Sequence, residues 1–124
     1  MSENITHTAV VDDCLRLMVA DETFSEAFKE AVREHQAMAR LGCMTRAGDR
    51  CNPGLLVTFR ERWATRLPEE NLEPKLAFVL GWLCHRAADR QMKPIFRRFH
   101  PPETRTESPT ECSVYHDAFI FHEV

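Results

Sequence analysis

Apolar residues recur at three- and four-residue steps over most of the chain, while the strict alternation that marks a half-buried strand is nearly missing. The pattern predicts an all-α protein, a single-domain bundle of four to five helices over residues 1–124. A first helix is expected from Thr6 to about Ala20, with Val10, Cys14, Leu17 and Met18 on its apolar stripe. A second is capped by Asp21, Thr23 or Ser25 and runs to about Leu41, carrying Phe24, Phe28, Ala31, His35 and Met38 inward. Gly42 serves as its stop signal, and the turn-forming stretch CMTRAGDRCNPG follows with Asp49 in it. Asn52 and Pro53 open a third helix to about Leu67, with Leu56, Phe59, Trp63 and Leu67 inward and Pro68 closing it. Pro74 suits the first turn of a fourth helix, which reaches about Met92 before Pro94 ends or kinks it.

The remainder is polar and proline-rich from 100 to 112 (HPPETRTESPTEC), the pattern of a surface loop. The segment from Ser113 to Val124 is expected to be a short helix, and Phe119 and Phe121 near the end of the sequence suggest a longer natural domain or a second copy packed against them. At 124 residues the chain can bury a core without metals or disulfides as obligatory staples. Its net charge of −3 is well mixed, which argues against nucleic acid as a partner. No run of eighteen apolar residues marks a membrane span, and the first twenty residues do not read as a secretory signal. Five cysteines, an odd number without a CxxC pair, fit reduced thiols in a cytoplasmic protein better than a disulfide or zinc-knuckle framework.

The chemistry concentrates in FVLGWLCHRAADRQMKP. His85 and Asp89 stand four residues apart there, so a helix stacks the imidazole and the carboxylate on one face inside an apolar setting. Such a pair ligates a cation of the zinc, iron or manganese type, or relays a proton. The plainer reading is a hydrogen-bonded pair in a helical core. His35 continues the stripe of Phe24, Phe28 and Ala31, so a second imidazole is expected inside. YHDAFIFHE adds His116, Asp117, His122 and Glu123, whose spacing cannot place them all on one side of a helix.

Two stretches resemble the zinc-dependent phospholipase C family. LGWLCHRAADRQMKP is similar to its helical histidine-aspartate motif, and HQAMARLGCMTRAGD to a helical histidine followed by a Gly-Pro-Asp loop, read here as Ala47-Gly48-Asp49. The resemblance implies an all-helical fold with zinc, or another divalent transition metal, held by His35, Asp49, His85 and Asp89; for the family's further ligand helix, His116, His122 or Glu123 can substitute. It also implies metal-assisted hydrolysis of a small phosphoester or phospholipid. Asp49 and Asp89 would then be the catalytic carboxylates, Asp49 as general base where it is not itself a ligand, with Arg86 and Arg90 orienting the anionic substrate. Two alternatives remain. One is a non-enzymatic interaction module with core histidines, anchored through Trp63, Trp82, Phe119 and Phe121. The other is a phosphohydrolase built on an adjacent histidine and aspartate, for which the only such dipeptide is His116-Asp117.

Overall fold

A computed structural model describes residues 4–45 and 54–99 together with Ala118 and His122, leaving the side chains of 55, 93, 96, 97 and 99 undescribed. Among the described residues there are five helices, α1 (Asn4–Ala20), α2 (Glu26–Glu34), α3 (Gln36–Met44), α4 (Gly54–Ala64) and α5 (Glu73–Phe99), and no strand. The all-α bundle expected from the apolar periodicity is what the chain forms.

The seam between α3 and α5 organises the rest. These two helices share the most extensive packing, and α1 and α2 lie against the pair. Gly42 on α3 and Gly81 on α5 permit the approach. A Cβ on Gly42 would stand 2.1 Å from the Phe78 carbonyl oxygen, and one on Gly81 would stand 1.8 Å from that of Ala39. Only residues without a side chain allow backbones this close. Gly42 is therefore a packing residue and not the expected stop signal, and α3 continues through it to Met44.

Around this seam the core gathers Val11, Leu15 and Met18 from α1, Val32 from α2, Ala39 and Cys43 from α3 and Ala77 from α5, with Met38, Leu80 and Cys84 partly buried against it. The buried stripe of α1 is His7, Val11, Leu15 and Met18, not the expected set led by Val10, and Leu17 is 70% exposed. Apolar residues at 10, 11, 14, 15, 17, 18 and 19 are compatible with either arc, and packing on α3 and α5 selects the one centred on Val11 and Leu15.

The expected second helix is two helices. His35, at φ −126° and ψ 40°, ends α2 and begins α3. Neither proline nor glycine stands at the junction. The break lets Ala31 and Val32 of α2, and Ala39, Gly42 and Cys43 of α3, all reach the interior. At the start of α2, Ser25 occupies the N-cap position without a side-chain hydrogen bond, while Asp21 Oδ1 accepts hydrogen bonds from the Thr23 backbone N–H and hydroxyl at 2.8 and 2.7 Å.

Helix α4 is shorter and less buried than its sequence suggested. Leu56, Phe59 and Trp63 are half-buried, and Leu67, beyond the helix end, is 56% exposed. Arg62 pairs with Glu70 of the following linker, and the Arg66 guanidinium lies 4.0 Å from the centre of the Trp63 ring. Helix α5 starts where Pro74 indicated, but Pro94 does not end it, and the helix continues to Phe99. A proline inside a helix removes one backbone N–H and leaves a carbonyl four residues earlier, here that of Arg90, without its donor. Arg90 and Pro94 are both exposed, so water can serve that carbonyl. No described helix is long and apolar enough to cross a membrane.

Candidate metal centre

One and two turns beyond Gly81, on the same face of α5, the buried polar residues of this helix meet a histidine from α1. His85 and Asp89 are 5% and 6% exposed, as their four-residue spacing on an apolar helix requires. The second imidazole is that of His7, 4% exposed, one turn before Val11 on α1. The two rings lie 4.1 Å apart between centroids and are inclined by 44°. Asp89 reaches both: Oδ1 is 3.6 Å from His7 Nε2 and Oδ2 is 3.9 Å from His85 Nε2.

One ligating atom from each of the three residues lies within 4.8 Å of the others. Two ligands at about 2.0–2.1 Å from a tetrahedral cation stand about 3.3 Å apart. The observed spacings of 3.6 and 3.9 Å are slightly wider than that edge and longer than an ordinary hydrogen bond. Buried His7, His85 and Asp89 could hold a metal ion once their ligating atoms, within 4.8 Å of one another, draw in to that edge.

Of these three residues, His85 and Asp89 are legible from their spacing in the sequence. His35, the imidazole expected to meet His85, is half-buried at the junction of α2 and α3 and is not part of the group. Its place is taken by His7, which the stripe read from Val10 left outside. The signal was present: His7, Val11, Leu15 and Met18 repeat at steps of four, four and three, so the stripe that best centres α1 carries a histidine at its first position. Asp49 and His116 lie outside the described residues, as do Asp117 and Glu123 and the loop from 100 to 112, while His122 is exposed. Arg86 and Arg90 are exposed on α5, each one residue beyond a member of the group, and the Arg86 guanidinium is 6.0 Å from the centre of the Trp82 ring.

No family model, curated protein or solved structure matches the chain.

Cysteines from three helices lie beside this region. Cys14, Cys43 and Cys84 are all free thiols, and Cys43 donates to the Arg40 carbonyl oxygen over 3.0 Å. Burial, reinforced by the neighbouring Cys14 thiol, pushes Cys84 up to about 12 from an ordinary 9.0. Burial also raises Cys43. The thiolate is the reactive form, so Cys84 is expected to resist iodoacetamide at pH 8 in the folded protein and to react once urea unfolds it. Peptide mapping by mass spectrometry reads the difference, and rapid labelling of native Cys84 would contradict the packing. The linkage has a definite sign. As pH rises above about 9 the unfolded chain loses the Cys84 proton while the folded chain keeps it, so this thiol's contribution to stability falls between pH 9 and about 12.

Proposed function

We propose that the protein is a metal-binding helical hydrolase of phosphoesters, with His7, His85 and Asp89 holding a cation of the zinc type. The observation that carries the reading is the convergence of two imidazoles and a carboxylate from α1 and α5 in the protein interior. Two nitrogens and one oxygen suit zinc, iron or manganese better than calcium or magnesium, which prefer oxygen ligands throughout. Among the described residues three ligands converge, and three protein ligands are the pattern of sites that keep a coordination position for a reactant.

When bound, such a cation acts as a Lewis acid on a phosphoryl oxygen and makes a coordinated water more acidic. The chain's own residues would do the rest. His7 from α1 and His85 from α5 would each supply a ring nitrogen, and Asp89 offers one carboxylate oxygen toward each ring. Arg86 and Arg90, on the turn of α5 that carries the ligands, supply positive charge for an anionic substrate. The likeness of LGWLCHRAADRQMKP to the histidine-aspartate helix of zinc-dependent phospholipases C supports a phosphodiester or a phospholipid as the substrate class.

Elemental analysis of the purified protein, followed by assays on bis-p-nitrophenyl phosphate and on phosphatidylcholine vesicles, tests this. The expected result is one equivalent of metal, hydrolysis abolished by chelation and restored by zinc, and no hydrolysis by His85→Ala with an unchanged circular dichroism spectrum. Hydrolysis that survives His85→Ala, or a protein with no affinity for zinc, would refute the proposal.

A further inference from the structure

A cleft of about 390 Å³ opens between α1 and the broken pair of α2 and α3. It shares no residue with His7, His85 and Asp89 and so stands apart from the metal centre proposed above. We infer that it is a binding site for a phosphate monoester carrying a small apolar group, with Arg16, Arg33 and Arg40 taking the phosphate and Leu15, Val19 and Val32 the carbon chain.

The cleft follows from the way these helices are cut and stacked. On α1, Asp12, Arg16 and Val19 recur at steps of four and three and form one wall beside Leu15. The break at His35 supplies the other wall: Arg33 in the last turn of α2, then Gln36 and Arg40 one turn apart on α3. Val32 at 1% exposure and Leu15 at 8% close the floor. An apolar floor under a charged rim is the construction of a small-molecule site, and the volume falls within the usual range of about 300–1,000 Å³. A bare inorganic anion would reach the rim and leave the floor wet.

The charge of the rim selects the head group. Three guanidiniums face one carboxylate in this cleft, although the chain as a whole has a net charge of −3. Asp12 accepts from Arg40 Nε at 3.0 Å and from Nη2 at 2.9 Å, which fixes that guanidinium and leaves its Nη1 end for a further acceptor. Arg16 Nη1 lies 3.6 Å from Asp13, and Arg33 Nη1 lies 3.9 Å from Glu26, both beyond hydrogen-bond range. Both acids are exposed, so these contacts are weak and yield to a better acceptor. A phosphate monoester is close to dianionic at neutral pH and presents three acceptor oxygens to the three guanidiniums, whereas a carboxylate has two oxygens and a single charge.

Isothermal titration of the full chain at low salt with n-butyl phosphate tests the assignment. One molecule should bind with a dissociation constant below about 1 mM, and inorganic phosphate and n-butyrate should each bind at least about tenfold more weakly. Because Arg16 and Arg33 are exposed, R16Q and R33Q should keep the wild-type unfolding temperature while each weakens n-butyl phosphate by about tenfold. The His85→Ala protein, folded by circular dichroism, should bind n-butyl phosphate as the wild type does. Absence of binding overturns the site, and equal affinity for n-butyrate overturns the choice of phosphate. Equal affinity for inorganic phosphate overturns the role of the apolar floor. Unchanged affinity in both arginine variants, or binding lost in His85→Ala, overturns the location.

Discussion

Replacing Gly81 with leucine is expected to unfold the bundle, and replacing it with alanine to destabilise it measurably. A single Cβ at this position would stand 1.8 Å from the Ala39 carbonyl oxygen, 2.6 Å from its carbonyl carbon and 2.9 Å from its Cα. Real Cβ contacts are essentially never shorter than 3.0 Å, so α3 must retreat by about 1 Å. The obstruction is backbone, which cannot rotate aside as a long side chain would.

Alanine gains about 1 kcal/mol over glycine in helix propensity. Overpacking costs about 1–3 kcal/mol, and a rigid neighbour places this site at the upper end. The steric term therefore exceeds the propensity term for alanine, and leucine adds three further carbons to the same clash. Urea denaturation followed by circular dichroism checks both variants. A Gly81→Ala protein as stable as the wild type would mean that the helices do not approach as closely as the geometry requires.

Asp89→Asn separates a metal ligand from a structural ion-pair partner. Asparagine keeps the shape of aspartate and removes its charge. If Asp89 is a ligand, zinc affinity should fall by more than about a hundredfold, the upper range for losing even an outer partner of a metal site. The metal-free variant should then be as stable as the metal-free wild type or slightly more so, because a neutral amide is less costly to bury than a carboxylate. If the carboxylate instead serves only to pair with a protonated imidazole, the same substitution breaks a buried ion pair. That costs about 3–5 kcal/mol without any metal, and zinc would then alter neither protein. Isothermal titration with zinc, combined with thermal unfolding of the metal-free proteins, distinguishes the two outcomes by sign as well as by size.

The residues of α5 were the most legible part of the molecule. His85 and Asp89 share a face because a helix places positions four apart above one another, and the surrounding apolar residues buried that face as expected. The start of α5 at Pro74 followed from local chemistry in the same way. Pro94 misled because its preference to stop a helix is a local cost of about 3 kcal/mol, which an exposed position with water at hand can absorb. Gly42 misled for the opposite reason: glycine has two uses, and only the position of α5 shows that close approach is the one at work here.

The division follows from the range of the forces. Spacing along the chain is enough for helix content, for the single His-Asp face on α5 and for the apolar character of α1, because these depend on neighbours within about one turn. It does not set the rotation of α1 about its own axis, since contiguous apolar residues allow arcs one residue apart, and each residue turns the helix by about 100°. Packing against α3 and α5 settles that rotation, breaks the expected second helix at His35 and brings His7, not His35, beside His85. The partner of a buried imidazole is thus a property of how helices dock. Two residues 78 positions apart in the chain come within 4.1 Å because a pair of glycines and a stripe of aliphatic side chains determine where their helices lie.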